Sequence, residues 1–250
     1  MNILFLTIAE IQDFNLKGIY TDLLREFMAN GHKVFVALPL ERRHGGQTFV
    51  NQKDNGAILR VRMGNIQKTN IIEKGISTLL IEHNFKRAIK KHFKDVHFDM
   101  VMYTTPTITF EKVVSYIKKK YNAKSYLLLK DIFPQNAVDL GMMSKKGLIY
   151  KYFRRKEKRL YKVSDRIGCM SRANVDFVLR HNKWIDKNTL HVSPNSVEPL
   201  QFNLSATEKT KIKSKYGIPN DKTVFVFGGN FGEAEKRQRI FPDPGRGIFI

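Results

Sequence analysis

A chain of 250 residues with 42% hydrophobic content is long enough for one large or two small domains around a real core. Its single cysteine, Cys169, excludes an intrachain disulfide and a cysteine-based zinc module, and fits a reducing, cytosolic setting. Lys and Arg total 44 against 23 Asp and Glu, a net charge of +21 that favours an anionic partner without choosing among nucleic acid, membrane and phosphorylated substrate.

The chain opens on a buried-strand pattern, Asn2–Ala9. No basic segment precedes it and Glu10 stops the apolar run, so it reads as a strand and not as a signal peptide. A polar loop, Glu10–Lys17, leads through Gly18 into a helix over Ile19–Ala29, whose apolar face carries Leu23, Leu24, Phe27 and Met28. Asn30-Gly31 is a helix stop, and Lys33–Leu38 is a second strand, which completes a βαβ unit. The loop lacks G-x-G-x-x-G and no acidic residue ends the second strand, which argues against a dinucleotide site. No run approaches the roughly 20 apolar residues of a membrane span.

Glu41–Ala57 reads as a polar, mobile loop, and Ile58–Met63 as a third strand. Asn70–Lys94 is helical, with Ile81, Phe85, Ala88 and Ile89 on one side and Lys86, Arg87, Lys90, Lys91 and Lys94 on the other. Two readings of that basic side are open: a solvated face, or a contact with anionic lipid. Asp99–Tyr103 is a strand that runs into the polar loop Thr104–Thr107. Hydroxyls there suit a sugar or phosphate, while Thr107 or Thr109 suits an N-cap for a helix over Phe110–Tyr121.

The most informative stretch is Ser125–Gly141, SYLLLKDIFPQNAVDLG. Tyr126–Leu129 reads as a central strand buried on both faces. Pro134 stops it, so Asp131 sits just past its carboxyl end, the edge where open α/β sheets bind ligands. A carboxylate there serves either chemistry or the capping of the next turn. A second polarised helix, Leu148–Val163, is read with Leu148, Ile149, Tyr152, Phe153 and Leu160 inward. Its basic side holds Lys151, Arg154, Arg155, Lys158, Arg159 and Lys162. Strands at Arg166–Met170 and Leu190–Val192 follow, with polar ends at Ser171–Asn174 and Pro194–Ser196 and a helix at Ala173–His181 between them. Ser171 reads as that helix's cap or as a ligand contact. Polar loops converging on one sheet edge are better support for a site than any one residue. The expected fold is α/β, a doubly wound parallel Rossmann-like sheet over residues 1–198.

Residues 199–250 read as a lysine-rich connector and the start of a second such sheet: a strand at Thr223–Phe227, then the turn Gly228–Gly232. After Gly232 the pattern stops, and the tail 233–250 has no helix or strand period. A second full domain needs roughly 100 further residues.

NGHKV at Asn30–Val34, D-x-F-P at Asp131–Pro134, LYKVSDRIGCMS from Leu160 and SPNSV at Ser193–Val197 together resemble the N-terminal domain of family 4 glycosyltransferases of the GT-B fold. The likeness spans about Met1 to Gly232 and is nearest to bacterial transferases of capsule and O-antigen polysaccharide, fucosamine transferases among them. It implies an acceptor-binding first domain and a nucleotide-sugar-binding second one, with anomeric retention and no metal or other cofactor. It also implies a polyprenyl-diphosphate-linked glycan as acceptor, at the cytoplasmic face of an anionic membrane. The basic residues Lys86, Arg87, Lys90, Lys91, Arg154, Arg155 and Lys158 would face that membrane. Asp131 would be the catalytic, acceptor-facing carboxylate, with Thr104, Thr105, Ser171 and Asn195 lining the acceptor cleft. Gly18, Gly229 and Asn230 would lie on the donor side. The basic residue and paired glutamates expected of a donor domain are missing, so the chain is expected to be truncated and inactive alone. A non-catalytic acceptor-binding or membrane-recruiting subunit, paired with a separate donor chain, is the other reading. No nucleic-acid recognition module is read.

Overall fold

The computed structural model describes residues 1–199 and 203–224. The chain divides into two units at Glu198. The first is organised on β1 (Asn2–Leu6), whose Ile3, Leu4, Phe5 and Leu6 are all fully buried. Side chains alternate across a strand, so burial of every one means that both faces are covered. Parallel partners flank it: β2 (Lys33–Glu41), with Ile3 opposite Val34, and β5 (Met100–Thr104), with Ile3 opposite Met100.

Eight strands run in the order β3-β4-β2-β1-β5-β6-β7-β8, all parallel except one. Here β3 is Phe49–Lys53, β4 Gly56–Met63, β6 Lys124–Leu129, β7 Arg166–Cys169 and β8 Leu190–Val192. The segment read as a mobile loop therefore contains a strand. β3 pairs antiparallel with β4, Phe49 against Arg60 and Asn51 against Ile58. Its residues are exposed or half-buried because it is an edge, so no apolar alternation marks it in the sequence. Gly56 is required where this hairpin enters the sheet. At φ 149° a Cβ there would lie 1.7 Å from the Val34 carbonyl oxygen.

Helix α1 (Ile19–Ala29) packs on one face of the sheet, with Leu24 against Phe5 and Val36 in one apolar cluster. The opposite face is covered by α2 (Ile71–His92), α3 (Glu111–Tyr121), α5 (Leu148–Val163) and α6 (Arg172–His181). A short α4 (Gln135–Asp139) follows the Asp131 loop. The larger cluster is aromatic: Phe85 lies 5.1 Å from Phe110, and Phe35, Phe93 and Phe98 meet edge to face. The change of side from α1 to α2 reverses the direction of strand addition at β1. That reversal makes a topological switch point at the carboxyl edge between β1 and β5.

The helices on the larger face are tied at their tops by charge. Glu82 of α2 accepts from the backbone N–H of Lys112 at 2.7 Å and from Lys156 Nζ of α5 at 3.0 Å. It thus satisfies one of the orphan donors that open α3. In the second unit, α7 (Ala206–Lys215) opens with a capping box between Ser205 and Glu208. The expected glycine turn with Gly229 and Asn230, and the tail 233–250, lie outside the described residues.

Candidate functional site

Four polar loops lie along the carboxyl edge of the sheet, the first two flanking the switch point. They follow β1 (Thr7–Gly18), β5 (Thr104–Thr107), β6 (Lys130–Pro134) and β8 (Ser193–Ser196). The expected site residues divide sharply between those turned into the scaffold and those left free.

Thr104 and Thr105 are both buried. Thr104 Oγ1 donates to Thr7 Oγ1 at 3.2 Å, and Thr7 Oγ1 accepts from the Ala9 N–H. Thr105 Oγ1 accepts from the N–H groups of Lys130 at 2.9 Å and Asp131 at 2.8 Å. These threonines do not line the cleft; they shape it, because one hydroxyl supplies the acceptor for two consecutive amides of the Asp131 loop. Ser171 caps α6, accepting from the Asn174 N–H at 3.3 Å. Thr107 and Thr109 are not caps. Their hydroxyls are buried with no hydrogen-bond partner among the described residues, and Glu82 does the capping in their place.

Asp131 is what that support presents. Among the described residues its carboxylate accepts no hydrogen bond, so it does not cap the following turn; α4 opens at Pro134 without a side-chain cap. Loss of water on the protein side raises its pKa above the ordinary carboxylate value. The Tyr20 hydroxyl feels its charge, and burial with the Asp131 charge pushes the tyrosine pKa upward.

Asn195 is exposed and, with Ser193 and Ser196, forms the polar rim of a cavity of about 320 Å³. Its floor is the sheet face beside α1: Met100, Met102, Tyr126 and Leu128. Lys130 reaches into it, half-buried and without an ion pair among the described residues; desolvation lowers its pKa. Sequence reasoning passed over Lys130, and the only available signal was its place directly before Asp131. At Gly168 of β7 a Cβ would come within 2.5 Å of the hydroxyl of Tyr126, one of the floor residues.

Gly18, expected on the donor side, stands at the start of α1. Its N–H, at the opening of α1, donates to Asp22 Oδ1 at 3.0 Å. Asp22 also accepts from the Glu198 N–H at 2.9 Å, and these two amides with Arg25 hold its pKa at about 2. The Asp22 carboxylate thus satisfies the Gly18 amide at the start of α1. This node also anchors the end of the first unit, where Arg25 pairs with Glu198 at 3.0 Å and Lys17 with the same carboxylate.

The basic residues also divide. On α2, Arg87, Lys90 and Lys91 are exposed and Lys86 is half-buried; Lys86 and Lys90 lie over the Tyr116 ring at 5.2 and 4.8 Å. On α5, Arg155 and Lys158 are exposed. Arg154 instead turns inward to Glu157 and donates to Asn182 Oδ1 at 2.6 Å. Leu148, Ile149 and Tyr152 are not inward. Leu148 is 81% exposed and Ile149 64%. They share the helical stripe of Lys156 and Leu160, but the first turns of α5 run past the core that the later turns pack on. No helix among the described residues is long and apolar enough to cross a membrane. Among the same residues, no group of His, Cys, Asp and Glu has the arrangement to hold a metal.

No family model and no curated protein matches the sequence. Solved structures do match the fold. One, described as trehalose-6-phosphate from E. coli bound with UDP-2-fluoro glucose, aligns with a TM-score of 0.57 at 9% identity, over 86% of this chain and 54% of that one. A ugt transferase from Siraitia grosvenorii in complex with UDP aligns at 0.47 and 8% identity, over 86% and 55%. The glycotransferase of kitacinnamycin aligns at 0.44 and 11%, over 81% and 53%. The chain thus spans about half the length of the structures it matches. The first of these likenesses shows the fold, a Rossmann-like α/β sheet of the GT-B kind.

Proposed function

We propose that this chain is the acceptor-binding half of a glycosyltransferase that moves a sugar from a nucleotide-sugar donor to a lipid-linked glycan. The observation that carries the reading is Asp131: an unengaged carboxylate of raised pKa at the carboxyl edge of the central sheet, held there by the buried Thr105 hydroxyl. The sequence blocks that resemble family 4 enzymes of capsule and O-antigen synthesis support the choice of acceptor, a glycan on polyprenyl diphosphate at the cytoplasmic face of an anionic membrane.

In the reaction the bond from the anomeric carbon to the donor phosphate breaks, and the nucleotide diphosphate leaves with its electron pair. The acceptor hydroxyl oxygen forms the new glycosidic bond. Asp131 orients that hydroxyl and takes its proton, a role for which a raised pKa is suited. Lys130 and Asn195 offer a cation and an amide to the acceptor's diphosphate and sugar. The nucleotide-sugar donor is held by a second half of the enzyme.

The test is calorimetric titration of the chain with a detergent-dispersed farnesyl diphosphate carrying one N-acetylhexosamine. Binding that weakens at least about tenfold in Asp131→Asn and again without the sugar supports the reading, a loss of about 1.4 kcal/mol each. Binding indifferent to both changes overturns it.

A further inference from the structure

The outer face of α2 changes character along its length. Its first turns expose Ile72, Ile76, Leu79 and Leu80, spaced for one face of a helix, with Ile72 72% exposed. The same face then becomes His83, Arg87 and Lys91, all exposed. The first turns of α5 likewise expose Leu148, Ile149 and Tyr152 just after an exposed Met142. The two helices are joined through the buried Glu82–Lys156 pair, and both begin at the sheet edge that carries Asp131. Seven large apolar side chains at the starts of two adjacent helices are more than scattered surface residues.

Cations are interleaved with them. Lys74 stands among the α2 residues, and Lys145, Lys146, Lys151 and Arg155 surround those of α5, all exposed and without an ion pair among the described residues. The acids nearby are engaged. Glu73 pairs with Arg42 and accepts from Thr69 and Asn65, and Asp139 accepts from Gln135. A protein partner is a poor occupant, because the cores of protein interfaces are depleted in lysine. An anionic bilayer is a good one, since lysine stems lie along the apolar surface while their heads reach the phosphates.

We propose that the first turns of α2 and α5 insert into the headgroup–acyl boundary of an anionic membrane, bringing the Asp131 edge to the bilayer surface. This rests on the membrane-acceptor reading above and moves the attachment from the basic side of the helices to their apolar starts. Lys86 and Arg154, half-buried and engaged with Tyr116 and Glu157, are then parts of the scaffold.

The experiment is flotation of the full chain with phosphatidylcholine vesicles, with and without phosphatidylglycerol. Ile76→Glu with Leu148→Glu should lower partitioning at least about tenfold, because binding scales with buried apolar area. Both sites are exposed, so the thermal midpoint should not move. Arg87→Glu with Lys91→Glu should lower it less, and that difference should shrink near 0.5 M salt, where charges are screened within a few ångströms. Leu148→Trp in a Trp184→Phe background should shift its emission to the blue on adding vesicles. Unchanged partitioning in the glutamate pair overturns the inference, as does self-association that the pair abolishes without vesicle binding. If no vesicle binds but the dispersed acceptor still does, this inference falls and the acceptor reading stands.

Discussion

Two sets of polar side chains share the carboxyl edge of the sheet, and only one is free to act. Thr104, Thr105, Ser171 and Glu82 are spent on the scaffold, Thr104 on the Thr7 hydroxyl and the others on backbone amides and a buried lysine. Asp131 and Asn195 are held by that scaffold and present their side chains outward. Residue type does not separate the sets, since each contains groups suited to a sugar. What separates them is whether a group of the fold, most often a backbone amide, lies within hydrogen-bond reach. A buried N–H without an acceptor is costly, so hydroxyls near strand ends are claimed by the fold first.

Substitutions that break this division should differ in size and kind. The largest loss of stability is expected at Lys156→Met, which strands the Glu82 carboxylate between three helices. Removing one partner of a buried pair costs about 3–5 kcal/mol, read from the denaturation midpoint. Thr105→Val comes next. It leaves the Asp131 N–H without its acceptor, while the Lys130 N–H keeps the Leu128 carbonyl at 3.1 Å; the cost is about 1 kcal/mol, and acceptor binding should also weaken as the Asp131 loop is freed. Serine at the same position keeps the oxygen and should restore binding.

Asp22→Asn acts through pH. The folded pKa of about 2 lies below the ordinary value of 3.8. The stability it supplies is therefore present above about pH 4 and is lost as pH falls toward 2. The variant should lack that part of the acid-unfolding slope. The smallest stability effect, and of opposite sign, belongs to Asp131→Asn. A folded pKa raised by desolvation means that stability declines as pH rises through that pKa. Removing the charge should therefore leave the protein slightly more stable at neutral pH while acceptor binding drops. A free group is one whose loss costs function and not fold.

Much of this was legible in the chain itself. The unbroken apolar runs at β1 and β6 announce buried parallel strands, and Pro134 places Asp131 at their edge. The α1 bounds, Ile19–Ala29, follow from Gly18 and Asn30-Gly31. Three features were not legible, for physical reasons. β3 is an edge strand whose partner, not its own pattern, makes it a strand. The stripe Leu148–Tyr152–Lys156–Leu160 is continuous in sequence, but the core beneath it ends halfway. Periodicity gives a face and cannot say how far the neighbour extends. That Asp22, one turn later, takes the Gly18 amide is a local side-chain choice that no pattern in the sequence marks.

The measurement that bears most directly on the role of Asp131 is the affinity for the farnesyl-diphosphate N-acetylhexosamine acceptor as a function of pH, in the native chain and in Asp131→Asn. The account predicts binding that tightens in the native chain as Asp131 loses its proton, through a midpoint above the ordinary carboxylate value of 3.8, and no such step in the variant. The same pH dependence in both proteins would contradict it.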